Sequence, residues 1–178
     1  MGSSSAYAGN LSSLAMAIAP RDLADPIDPI DIRPMVAADI PNILNFSLNE
    51  GEPQWSQQTL SGALGVGYLA WVASHPGSGE LMAYAVANHV LEHADVQNVV
   101  VNKAFRGHGI GRQVLKALLH ALAQASVETV FLEVRCANQV AIKLYQSMGF
   151  EQIQKRRGYY PGIDGVREDA WVFSLACR

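Results

Sequence analysis

The sequence is poor in cysteine, in charge and in long apolar runs, and each shortage excludes something. Cys136 and Cys177 are the two cysteines in 178 residues, too few for a disulfide framework and in keeping with a reducing compartment. Lys and Arg number 13 against 16 Asp and Glu, a formal net charge of −3, so the basic footprint of a nucleic-acid binder is missing. No apolar run approaches the ~18 residues that a membrane helix needs. The opening stretch MGSSSAYAGNLSSLAMAIAPRD has no Lys or Arg ahead of its short apolar patch, unlike a secretory leader. Ala6 stands where a myristoylation signal wants Ser or Thr. These absences predict a cytoplasmic protein with neither nucleic acid nor membrane among its partners. Hydrophobic residues at 49% and charged residues at 16% are enough for one ordinary globular domain with a sizeable core.

The local patterns predict a flexible Ser/Ala-rich tail over residues 1–26 and a single domain over 27–178. Pro26 and Pro29 exclude helix, and IDIRPM alternates like a first strand. Asp39, followed by Pro41, reads as the N-cap of a helix through IPNILNFSLN that EGEPQW breaks. Ser56 is the candidate cap of a shorter helix over SQQTLSGAL. YLAWVAS and LMAYAVANHV, joined by HPGSGE, read as a hairpin. VQNVVVN is a strand whose continuous valines predict burial on both faces. Helical spacing of Val114, Leu115, Leu118, Leu119 and Leu122 follows, then the strand TVFLEVR. Asn138 caps the helix QVAIKLYQSM, which stops at Gly149. FEQIQKRR and EDAWVFSL close the chain around GYYPGIDG. With no internal repeat and hairpins early and late, the order predicts a mixed α/β layer fold.

Between the fourth of these strands and its helix lies FRGHGIGRQ, three glycines in five residues. Local stability gains nothing from them, since each costs conformational entropy. A bare turn between a strand and a helix start brings backbone N–H groups and the helix dipole to one point, which is an anion site. Arg106 and Arg112 add charge at its rim. The pattern is not a P-loop, because neither Lys nor Ser/Thr follows Gly111, and Arg112 stands where a dinucleotide GxGxxG would need its last glycine.

What remains, Arg106-x-x-Gly109-x-Gly111 between strand and helix, resembles the acetyl-CoA pyrophosphate loop of the GNAT N-acetyltransferases. FLEVRCANQVAIKLYQSMGF and RRGYYPGIDGVREDA resemble the branch of that family that acetylates the N-terminal alanine of a small-subunit ribosomal protein. The likeness is specific over residues 98–173, general for IDIRPMVAADIPNIL and EPQW, and does not reach the tail. It implies a mixed central β-sheet flanked by helices. It also implies acetyl-CoA as co-substrate with no metal, and the N-terminus of a basic ribosomal protein as acceptor. Gly107, His108, Gly109, Ile110, Gly111 and Arg112 would hold the pyrophosphate; the backbone of Val99, Val100 and Val101 would meet the pantetheine and thioester; Asn138 would contact the coenzyme.

The resemblance gives Glu133 the part of general base and Tyr145 that of proton donor. The residues allow this. A carboxylate inside the apolar strand VFLEVR would be desolvated toward a useful basicity, although the bare residue is read first as a strand-surface Glu paired with Arg135, on the same face at i+2. A phenol stays protonated at neutral pH, although Tyr145 also belongs to an apolar stripe with Ala141, Leu144 and Met148. Trp55, Tyr159, Tyr160, Glu168 and Asp169 are the candidates for the acceptor slot. The chain departs from the family pattern there, with Gly158 before the tyrosine pair and an extra residue in DGVREDA.

Two other motifs carry less. HVLEH, His89 to His93, has the spacing of a zinc hydrolase helix, but its flanks read as strands, so a loop between strands is expected. Cys136 lies near Glu133 without a base beside it in sequence, so a buried thiol is expected rather than a covalent acetyl carrier. Acetylation of a small amine or an internal lysine, or storage of acetyl-CoA by a non-catalytic sensor, remain the alternatives.

Overall fold

The computed structural model describes residues 30–49, 52–162 and 165–177; the expected tail over 1–26 lies outside them. Seven strands and four α-helices make up the described part. They are β1 (Asp31–Pro34), α1 (Ile40–Leu44), α2 (Gln57–Gly62), β2 (Tyr68–Ser74), β3 (Leu81–Val90), β4 (His93–Val101), α3 (Ile110–Gln124), β5 (Thr129–Arg135), α4 (Gln139–Ser147), β6 (Glu151–Tyr160) and β7 (Glu168–Ala176). The strands form one mixed sheet in the order β1-β2-β3-β4-β5-β7-β6. All neighbours are antiparallel except β4 and β5, which are parallel and joined through α3. This is the mixed, helix-flanked sheet that the sequence predicts.

Helices cover both faces. On one, α3 and α4 pack on Ala83, Ala85 and Ala87 of β3 and on Val130, Leu132 and Val134 of β5. The alanines are small enough to let α3 settle against the sheet, and Val114, Leu115, Leu118 and Leu122 are wholly buried in the contact. Each such side chain contributes about 1.5–3 kcal/mol. On the other face, Met35, Ile40, Ile43, Phe46 and Leu60 of the α1–α2 layer cover Leu81, Tyr84 and Val86 of β3. That layer covers the β1–β4 half of its face, and the stretch over β5, β7 and β6 is left open. β6, an edge strand, is exposed along most of its length, and Lys155, Arg156 and Arg157 guard it against pairing with another chain.

One expected cap is corrected. Asp39 makes no cap bond to α1; a 3₁₀ turn over Ala37–Asp39 precedes that helix. Its carboxylate instead takes two hydrogen bonds from Arg33, at 2.8 and 2.7 Å, and the Val36 N–H at 2.9 Å. Burial alone would raise its pKa, but these donors together lower it. The helix is also shorter than expected, because Gln54 caps it early with a 2.6 Å bond to the Leu44 carbonyl. Ser56 and Asn138 cap α2 and α4 as expected, accepting from Thr59 N at 3.1 Å and Ala141 N at 3.1 Å.

A second ion pair ties the layers together. Arg106, just after β4, donates to both oxygens of Glu52 at 3.0 and 2.7 Å, and its Nε donates to the Val101 carbonyl at 3.0 Å. The Arg106 hydrogen bonds lower the Glu52 pKa from 4.5 to about 2 against the opposing effect of burial. The folded-state value is depressed, so the stabilisation is complete above about pH 4.5 and is lost as pH falls toward 2. The pair is more than a third exposed on the Glu52 side, so screening leaves about 1 kcal/mol. Glu52→Gln is expected to lower stability by about that amount at pH 7 in urea unfolding, with the gap from wild type closing as the pH approaches 2.

Candidate active site

The site begins where two neighbouring strands part. β4 and β5 pair from His93↔Thr129 to Val96↔Leu132 and no further, although β4 runs on to Val101 and β5 to Arg135. At that point β4 carries a bulge: Val86 faces Asn98 while Ala87 faces Val96, leaving Gln97 as the extra residue. A bulge bends its strand and sharpens the twist, which turns β4 away from β5. Past it, Val99, Val100 and Val101 keep β3 as partner but have no strand on the side facing β5. Backbone groups on that side need partners, and an extended amide-bearing chain would supply them.

Next to this gap stands the glycine turn. Gly107 and Gly109 adopt positive φ, 85° and 74°, and a Cβ at either would meet nothing within 4 Å. Their requirement is conformational. Gly111 differs: a Cβ there would meet Val101 Cγ2 at 3.2 Å, so it lets α3 close onto the end of β4. Gly109 caps the 15-residue α3 without any side-chain bond. Among the described residues, the N–H groups of 107–111 have no backbone carbonyl as partner, and they stand at the positive end of the helix. The arginines at the rim are committed elsewhere. Arg106 is held by Glu52, and Arg112 reaches across to Ser147 at the end of α4. His108 Nδ1 lies 3.3 Å from the Phe105 carbonyl. Positive potential in the turn therefore comes mainly from the backbone. Asn138 uses its side-chain oxygen to cap α4.

Glu133 and Tyr145 lie on opposite faces of the sheet. Residues of β5 alternate, with Val130, Leu132 and Val134 buried beneath the helices and Phe131, Glu133 and Arg135 on the open face. Tyr145 lies under the helical layer, its ring 5.8 Å from Phe150 and 6.4 Å from Phe173. Burial first, and the neighbouring Tyr160 second, push its phenol up to about 12. Its hydroxyl is not a sealed unsatisfied group.

On the open face Glu133 lines a cleft of about 330 Å³ together with Asp95, Gln97, Arg156, Tyr159 and Tyr160. Its partner is not Arg135 but Arg156 of β6, in direct ion-pair contact with Oε1. Arg135 pairs with Glu168 at 3.0 Å and lies over the Tyr160 ring at 4.6 Å. The carboxylate is thus half-buried in a charged and aromatic setting rather than an apolar one. The nearby Glu133 carboxylate is the leading reason that the Tyr159 phenol pKa is raised. Burial first, then the Glu133 charge, pushes Tyr160 up to about 12.

The two tyrosines reach one cleft because β6 bulges. Arg156 faces Ala170 and Tyr160 faces Glu168, so 157–159 oppose a single β7 residue. Gly158 takes the positive φ of 56° that this requires. Asp169 pins the bulge by accepting the Gly158 N–H at 2.8 Å, and Arg167 bonds the Tyr159 carbonyl at 2.7 Å. Asp169 also pairs with Lys155 at 2.8 Å, and Lys155 lies over Trp171 on the helix-covered face. Trp55 packs on the α1–α2 core. Of the acceptor candidates, then, Tyr159 and Tyr160 meet Glu133 in the cleft, Glu168 braces its wall through Arg135, and Asp169 and Trp55 stand outside its lining.

Asp95, Val96, Gln97, Leu132 and Arg156 are the lining residues that sequence reasoning missed. Asp95 alternates with His93 and Ala94 in a half-exposed strand, which is a signal of orientation but not of a cleft. HVLEH is a tight hairpin turn: Val90 faces His93 and His89 faces Ala94, so the two imidazoles leave on opposite faces and cannot share a metal.

The parted parallel strand pair leads to a glycine turn at the start of α3, a slot for an extended chain that ends in an anion. Residues 39–150 match the sequence profile of the "Acetyltransferase (GNAT) family", and the chain belongs to that family. It is 34% identical over 144 residues, 81% of this chain and 95% of its relative, to the [ribosomal protein bS18]-alanine N-acetyltransferase of Escherichia coli K12. The enzyme of the same name from Haemophilus ducreyi is 37% identical over 121 residues, 68% of this chain and 82% of that one. The crystal structure of the Escherichia coli enzyme superposes with a TM-score of 0.75 at 33% identity, over 83% of this chain and 94% of that one. The fold is shared with Arabidopsis thaliana NAA60 in complex with acetyl-CoA, TM-score 0.72 at 21% identity, over 83% of this chain and 98% of that one.

Gly109→Ala places a side chain at φ 74°, a conformation that costs an L-residue about 1–2 kcal/mol. Acetyl-CoA binding by calorimetry is expected to weaken about tenfold, with the far-UV circular dichroism unchanged; wild-type affinity would remove the turn from the binding site.

Proposed function

We propose that this protein transfers the acetyl group of acetyl-CoA to the free N-terminal α-amine of a protein, the N-terminal alanine of ribosomal protein bS18. The similarity to curated enzymes of that activity, along nearly their whole length, carries the reading. The cleft supports it, since it is open to an extended peptide end and holds a carboxylate where an amine would arrive. In this reading the protein works in the cytoplasm, and no described helix is long and apolar enough to cross a membrane.

Acetyl-CoA supplies an activated acetyl thioester. Free N–H groups of 107–111 and the unpaired edge of 99–101 suit a pyrophosphate and an amide-bearing arm, so the donor would lie along the gap. The acceptor nitrogen comes from the open face, forms the new N–C bond as the C–S bond breaks, and gives its proton to Glu133. A backbone N–H on the 99–101 edge would stabilise charge on the carbonyl oxygen. An α-amine, with a pKa of about 7.7–8.0, is already free in roughly a fifth of molecules near pH 7.2; a lysine at about 10.4 is free in fewer than one in a thousand. The α-amine therefore asks less of any base in the cleft than a lysine would.

Tyr145 takes the leaving side. Outright transfer from a phenol at about 12 to a thiolate near 8.5 is uphill by roughly 5 kcal/mol in water. The phenol therefore acts first as a hydrogen-bond donor to charge growing on sulfur, and yields its proton as the desolvated thiolate departs.

Three peptides of one sequence test the proposal by thiol release and mass spectrometry: one with a free N-terminal alanine, one blocked, and one blocked but carrying a lysine. Acetylation of the free alanine peptide alone is expected, and modification of the blocked lysine peptide would contradict it. Glu133→Gln is expected to lower kcat by about 10²–10⁴ with acetyl-CoA affinity within twofold of wild type.

A further inference from the structure

Arg156 stands in the way of the reaction proposed for Glu133. Its guanidinium engages Glu133 Oε1, and an oxygen so engaged is not open to the proton of an incoming amine. Arg156 is 43% exposed on β6, so the pair can part, and a second carboxylate within the cleft would hold the guanidinium in place once it has left Glu133. Asp95 is the other carboxylate lining the cleft.

The sheet puts it in place. Asp95 faces Phe131 across the parallel β4–β5 pair, and Glu133 is the next residue of β5 on the same face. Among the described residues Asp95 makes no ion pair. It nevertheless feels the cluster: burial and the Glu133 charge raise its pKa, while Arg156 and His93 oppose them. The Arg156 guanidinium lies 5.2 Å from the centre of the Tyr159 ring, and an aromatic face lets a cation slide without losing its support. The charged and titratable groups facing Asp95 are thus His93 from its own strand, Glu133 from β5, and Arg156, Tyr159 and Tyr160 from β6.

We infer that Asp95 is a positioning residue: when the acceptor amine enters, Arg156 passes from Glu133 to Asp95, and Glu133 is left open to take the amine proton. The exchange conserves the charge of the cleft. It rests on the reading of Glu133 as the base.

A double-mutant cycle tests it, run with whichever amine the wild type acetylates. Asp95→Asn is expected to lower kcat about tenfold with acetyl-CoA affinity unchanged, whereas in an Arg156→Gln background it changes kcat less than twofold, because no guanidinium is left to hold. The same tenfold loss in both backgrounds, or a wild-type rate for Asp95→Asn, would overturn the inference. A second arm needs no turnover: the Asp95 side-chain carboxyl, titrated by ¹³C NMR in the free protein, should move to higher pH in Arg156→Gln. An unmoved midpoint would place Arg156 out of reach and refute the exchange. A wild type that acetylates lysine or a small amine would refute the proposed acceptor while leaving the cycle readable; Glu133→Gln at wild-type rate would refute both the base and the exchange.

Discussion

The parting of β4 from β5 is the constraint on which the site depends. In a closed sheet every backbone group of 99–101 would be spent on a neighbour, and Glu133 and Tyr145 would be sealed from each other by the sheet itself. Four residue pairs hold the strands together at one end, and the bulge at Gln97 releases them at the other. The gap exposes the backbone of β4 within the sheet. In the proposed reading, a donor would lie there, with the acceptor and the leaving-group partner approaching one carbonyl from opposite faces.

The surroundings keep that gap open without filling it. Gly111 brings α3 against Val101, and Arg106 binds the same end of β4 to Glu52, so the free edge is anchored at its far end. On the other side β5 is held by β7 along its whole length, from Thr129↔Ala176 to Arg135↔Ala170. The β6 bulge, pinned by Asp169 and Arg167, then places Tyr159 and Tyr160 over Glu133. Most charged groups near the cleft are thus braces, and the balance among Asp95, Glu133 and Arg156 is where its chemistry can be tuned.

Local structure was legible in the sequence where it rests on local physics. The apolar β-type runs YLAWVAS and LMAYAVANHV, the leucine spacing of α3 and the caps at Ser56 and Asn138 pointed to strands and helices close to those observed. Asp39 misled because its carboxylate found Arg33 through β1 packing, a contact that no capping pattern encodes. Glycines 107 and 109 announced a turn, but Gly111 belongs to packing, which depends on where Val101 lies. Glu133 and Tyr145 were reached through family resemblance, since each also fits a bland role in its own element. The Glu133–Arg156 pair, the β6 bulge and the separation of Asp169 from the cleft depend on strand order and register, which periodicity does not carry.

The central claim is that the donor occupies the parted strands. Amide hydrogen exchange with and without acetyl-CoA tests it directly. The account predicts new protection at the amides of 99–101 and 107–111, with β1 and β2 unchanged; binding that leaves those amides exchanging at their free rates would contradict it.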